Sequence, residues 1–202
     1  MFELYADFVY DFTEYVCRLF MALKNEEMKA VMYENLIEEI GIGSHTESSW
    51  KSQHGELYRQ FIKSLRLIEP YRAAGLEQNI GAIQDSSKAI SRRFYNMHTA
   101  IIDDRNDLQS FAAFSTIECW VCELYEFWRG TLLDIVSNHG SLDMRNIDLH
   151  RICDIEHSAA LDNLLNKNLK QGGDNIHWVR KGIIRGMVAS EQLFSDIQRE
   201  MT

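Results

Sequence analysis

Three side chains able to ligate metals and move protons, His150, Asp154 and His157, recur at intervals of four and three residues in the stretch IDLHRICDIEHSAALDNLL, residues 147–165. Leucines and alanines at helical spacing, and the lack of proline, predict a helix there. At 3.6 residues per turn, positions i, i+4 and i+7 span about 60° of arc. The trio therefore shares one face, which continues as Ile147 before it and Leu161 and Leu164 after it. Two imidazoles and a carboxylate thus stand in an apolar seam, while Arg151 and Glu156 point elsewhere and can be solvated.

The same anomaly recurs upstream. A seam of Phe111, Phe114, Glu118, Val121, Tyr125, Trp128, Leu132 and Ile135 carries one charge, Glu118. Glu123 and Glu126 are rotated out of it by roughly 140° and 80°. A carboxylate isolated among aromatics is costly and calls for a cation, a proton or a metal. In NLIEEIG, Glu39 follows Met28, Met32, Asn35 and Leu36 on one face, whereas Glu38 follows Glu34 and is expected to be wet. In SQHGELYRQF, His54 sits with Trp50, Leu57, Tyr58 and Phe61; His45, in the polar loop GSHTESS, has no such company.

Glu39, His54, Glu118, His150, Asp154 and His157 make three carboxylates and three imidazoles, all expected to face inward. Taken singly, each would read as a hydrogen-bonded core residue. Together they suit borderline-hard, redox-active ions such as iron or manganese, and the lack of thiolates in the set argues against a structural zinc site. Two divalent ions roughly 3.5–4 Å apart need bridging carboxylates between them, and three acids would supply those. Glu118 or Asp154 is the residue expected to bridge or shift between ions. Each histidine must be neutral to ligate, so affinity should fall as pH drops through the histidine range.

The elements that must position these groups are helical nearly throughout. Pro70 is the only proline in 202 residues, and the helical period dominates. Seven helices are expected, at about 2–22, 26–41, 50–68, 84–101, 105–137, 145–171 and 175–200, ends uncertain by a few residues. GIGSHTESS, SNHGSLD and QGGD punctuate them, with Asp174 as an N-cap, and 69–83 is weakly patterned and expected to hold a loop. No linker or repeat divides the chain, so residues 1–202 are expected to form one all-α domain. A net charge of −9 with scattered basic residues excludes nucleic acid or an anionic membrane as the main partner. Four cysteines without a disulfide framework fit a reducing cytoplasm. The N-terminal stretch is apolar but carries acids throughout, and reads as an amphipathic helix rather than a signal peptide or membrane span.

With the residues in this order, Asn35–Glu39–Gly41, His54–Leu57–Tyr58, Glu118 and His150–Asp154–His157, the chain resembles the haem-oxygenase-like di-metal oxidases, also labelled iron-containing redox enzymes. The H-x3-D-x2-H element is the specific part, and the match runs from about residue 28 to residue 165. The resemblance implies a single seven-helix bundle holding two irons, or iron and manganese, between its helices. It implies dioxygen as co-substrate, oxidation of a small-molecule metabolite, and by analogy a homodimer. Ferritin-like di-iron proteins fit poorly because no Glu-x-x-His occurs, and haem oxygenase because helix 2–22 has no histidine. Alternatives are metal-free enzymes of the same fold: thiaminase-like, for which Cys119 or Cys122 would be the nucleophile, or similar to pyrroloquinoline quinone synthase. A helical interaction protein, with Phe127 and Trp128 exposed as its contact surface, is a further alternative.

Overall fold

The structure, a computed structural model, describes residues 1–42, 53–75, 79–139 and 141–202, and all side chains within these except those of Pro70, Cys153 and Asp154. His45 and most of its loop lie outside the described residues. Among those described, every regular element is a helix: α1 (Phe2–Ala22), α2 (Glu26–Glu39), α3 (His54–Leu65), α4 (Glu69–Ala73), α5 (Ile80–Asp103), α6 (Asp107–His139), α7 (Arg145–Lys170) and α8 (Asn175–Glu200). The seven expected helices are present, and a short eighth, α4, lies in the segment expected to be loop. Pro70 falls in its first turn, where a missing N–H leaves no intrahelical bond unmade. Helix α5 starts at Ile80, earlier than the apolar period indicated, with Asn79 at its N-cap position.

Two helix ends bear directly on the site. Asn25 caps α2, its Oδ1 accepting from the Met28 amide at 3.0 Å. The helix closes at Glu39, and Gly41 follows at φ 84°, a left-handed conformation that favours glycine. Glu38 and Glu39 are therefore the last two residues of α2. No basic residue accompanies them there, and the helix dipole disfavours negative charge at that end. Helix α3 opens directly on His54. Asn146, at the start of α7, donates from Nδ2 to the His54 carbonyl at 3.0 Å and ties the two helix starts together.

Helix α1 packs on α2, α3 and α5, and the long α6 runs against α7 and α8. Tyr5, Phe8, Phe12 and Tyr15 line the inner face of α1 and meet Phe114, Tyr125 and Trp128 territory on α6 through a chain of aromatic contacts. Trp128, expected to be exposed if the protein were an adaptor, is instead buried, its ring 4.9 Å from Phe2 and 5.0 Å from Tyr5. The seam that contains it points into the bundle; Phe127, one position round the helix, is exposed. Helix α8 approaches α6 through two glycines. A Cβ on Gly182 would overlap the Gln109 carbonyl, and one on Gly186 would overlap Thr116 Oγ1. Glu3 of α1 accepts from Arg66 Nε and Nη2, both at 2.7 Å, and from the Tyr71 hydroxyl at 2.9 Å, which fastens α1 to the end of α3 and to α4. Among the described residues no helix is long and apolar enough to cross a membrane.

Candidate metal centre

Five of the six candidate ligands, Glu39, His54, Glu118, His150 and His157, are buried, and they come from four helices. The helical phases read from the sequence account for this directly, since each group occupies the inward seam of its own helix. The sixth, Asp154, belongs to α7, but its side chain lies outside the described residues. Glu123 and Glu126 are exposed, as their rotation out of the α6 seam requires.

The buried groups form carboxylate–imidazole pairs. His54 Nδ1 lies 2.8 Å from Glu39 Oε1, and the His54 ring meets the His150 ring edge-on at 4.5 Å between centroids. Tyr125 packs on the other partner, its ring 4.5 Å from that of His150. Nearby on α7, His157 Nε2 lies 3.0 Å from Glu38 Oε2, and His157 Nδ1 is 3.5 Å from Glu118 Oε2. Asn35 Nδ2 donates to Glu118 Oε1 at 3.2 Å. Glu38 corrects the expectation that it would simply be wet. Its side chain is 17% exposed and reaches the edge of α7, because α2 and α7 pack close enough for His157 to span the gap.

Electrostatics explain how these charges tolerate burial. Burial pushes the Glu39 carboxyl up, but the attraction and hydrogen bond of His54, with weaker attraction from His150 and His157, carry it below the ordinary carboxylate range. Glu39 is thus ionised at neutral pH. Among the described residues, Glu39 Oε2 still lacks a hydrogen-bond partner, an unusual condition for a buried polar atom. A cavity of about 20 Å³ borders Glu39, Glu118 and His150, with Phe8, Phe12 and Tyr125 among its apolar walls. It is large enough for one water or a diatomic molecule.

The chemistry available is that of hard nitrogen and oxygen donors beside a small, mostly apolar cavity. Among the described residues, no group of three His, Cys, Asp or Glu side chains is arranged to hold a metal ion. The donors stand as pairs rather than as a closed cage. Cys119 is exposed and Cys122 half-buried, and burial pushes the Cys119 thiol up, with Glu123 and Asp162 adding to the rise. That is the wrong direction for a thiolate nucleophile.

One buried titratable group was not found from the sequence. His98 on α5 is fully enclosed, its Nδ1 2.9 Å from the Tyr15 hydroxyl. Burial pushes the His98 imidazole down to about 3, and Arg185 adds to the effect. Burial also raises the Tyr15 phenol, helped by the charge of Glu118. The phenol therefore keeps its proton and the imidazole is neutral, the two sharing one hydrogen bond. The signal was present in the chain: Ser91, Phe94, His98 and Ile101 follow helical spacing and are all buried.

The chain matches no family model and no curated protein.

Proposed function

We propose that the protein is a non-haem di-metal oxidase of the haem-oxygenase-like kind, using dioxygen to oxidise a small metabolite, with its seven long helices forming that bundle. The observation that carries this is the convergence of five buried N/O donors from four helices, three of which, Glu39, Glu118 and His150, border one small cavity. Their chemistry fits iron or manganese, and the unsatisfied Glu39 Oε2 is an atom that a cation would satisfy. The placement of Glu38 and Glu39 at the negative end of a helix dipole favours the same conclusion.

Glu39, His54 and His150 would hold one ion, and Glu38 and His157 the other, with Glu118 and Asp154 shared between them. When bound, a pair of irons, or iron with manganese, supplies the electrons that reduce dioxygen. The chain itself does the positioning. Asn35 fixes one oxygen of Glu118 and leaves the other toward His157. Tyr125 holds the His150 ring in place by packing against it. The aromatic side chains of α1 and α6 keep bulk water from the cavity.

Metal-free protein should be loaded anaerobically with Fe(II), analysed for iron, then mixed with oxygen while absorbance is followed. About two irons per chain and a transient visible band are expected. His150→Ala and His157→Ala should each lose at least one iron and slow oxygen consumption. Full iron content in both variants overturns the assignment. Failure of the unaltered chain to take up stoichiometric iron would leave two histidine–carboxylate pairs in a polar core, the property of a metal-free enzyme of this fold.

A further inference from the structure

We infer that the groove between α2 and α7 binds a small organic ammonium, and that this is the substrate class of the proposed oxidase; the second clause rests on the function proposed above. The groove encloses about 240 Å³. Ala30, Val31, Glu34 and Asn35 form one wall, at the i, i+1, i+4, i+5 spacing that puts them on one side of α2. His157, Ala160 and Leu161 of α7 form the other. The walls are largely aliphatic, and the alanines on facing helices leave the room between them. His157 and Asn35 belong also to the candidate centre, so the groove reaches it.

Two polar features select the ligand. Asn35 is buried, 2% exposed, and its amide orientation is fixed by donation of Nδ2 to the Glu118 carboxylate. A carboxylate oxygen repels the amide oxygen and attracts the NH2, so Oδ1 must be the atom turned away from Glu118. That Oδ1 is buried and, among the described residues, meets no donor. Asn35 lines the groove, so a donor N–H or O–H seated beside it is the partner this oxygen lacks. Glu34 is the one carboxylate among the described residues that line the groove, it is exposed, and no described residue forms an ion pair with it. A ligand bearing positive charge and N–H donors answers both groups. An anion would meet repulsion from Glu34 and offer nothing to Asn35. The volume falls below that of drug-sized pockets, which suits a small ligand.

The test uses the full metal-free chain and three probes of equal length: n-butylammonium, 1-butanol and butanoate, titrated with detection by heteronuclear NMR shifts. Saturable binding of n-butylammonium is expected, about fivefold tighter than 1-butanol, with butanoate weakest. Glu34→Gln, an exposed change that leaves the core alone, should remove the preference over 1-butanol. Ala160→Phe should abolish binding by filling the groove. Equal binding of all three probes, stronger binding of butanoate, an unaltered preference in Glu34→Gln, or no saturable binding of n-butylammonium would each overturn the inference. The titration needs no metal, so its failure leaves iron uptake standing, and failure of iron uptake leaves the measured preference of the groove standing while removing its role as a substrate site.

Discussion

His157 and Glu38 meet across the gap between α7 and α2, Nε2 3.0 Å from Oε2, while the neighbouring carboxylate Glu39 turns to His54 of α3 at 2.8 Å. Two adjacent residues thus serve opposite halves of one polar belt. Consecutive positions on a helix are about 100° apart, which is what allows the end of α2 to face two neighbours at once.

Glu38 and Glu39 should therefore behave as ligands of different ions. Glu38→Gln keeps the shape of the side chain and removes its charge. Its expected effect is a loss of about one iron per chain, or at least a 10- to 100-fold drop in affinity for one of two irons, with the helical content unchanged. Competition with a chelator, followed by elemental analysis, measures this. Iron uptake indistinguishable from that of the unaltered chain would make Glu38 a pairing partner of His157 and nothing more.

Acid should weaken the fold through His98. The unfolded chain takes up a proton on this residue below about 6.5, whereas the folded protein resists until about 3. Between those values the unfolded state binds more protons, so stability rises with pH and is lost as pH falls. From pH 6.5 to 5 the group should withdraw about 2 kcal/mol. Urea titrations at several pH values would show the slope, and His98→Leu should flatten it even if the variant is less stable throughout. An identical slope in His98→Leu would place the acid sensitivity elsewhere. Glu39 acts in a lower window. Its folded value lies beneath the usual carboxylate range, so its contribution persists above the unfolded value and disappears only as pH falls through the folded one.

Two glycine-to-alanine changes should act in opposite directions. Gly182→Ala brings a methyl group against the Gln109 carbonyl and the Ala112 side chain, and α8 must shift away from α6. Overpacking of this kind costs about 1–3 kcal/mol. Gly130 lies in the C-terminal third of α6, well inside the helix, with nothing near a new Cβ. There alanine should stabilise by roughly 0.5–1 kcal/mol, because glycine has more conformational freedom to lose in a helix. Thermal unfolding of the two variants checks both signs.

Glu3→Gln should destabilise by about 1–3 kcal/mol. The amide cannot accept both guanidinium bonds and the Tyr71 hydroxyl as the carboxylate does. Chemical denaturation gives the magnitude. No change on substitution would mean that Arg66, which is partly exposed, recovers its interactions with water.

The long helices and the inward seams of α2, α3, α6 and α7 were legible from residue spacing, because helical phase is a local property set by 3.6 residues per turn. That is why Glu39, His54, Glu118, His150 and His157 were found to be buried where the seams put them. Local pattern was less informative wherever a short element or a neighbour decided the outcome. Helix α4 spans only Glu69–Ala73, too few residues to display a period. Glu38 looked solvated because its own helix face is polar, yet His157 comes to it from another helix.

Taken by itself, the sequence determined an all-helical chain and which side chains of each long helix face inward, since both follow from interactions within a few residues. The tertiary structure decided the pairings: Glu39 with His54, Glu38 with His157, Asn35 with Glu118, and Tyr15 with His98. It also decided the close crossing of α6 and α8 and the groove between α2 and α7. These depend on how helices rotate and cross against one another, which is set by packing across the whole core and not by any period along the chain.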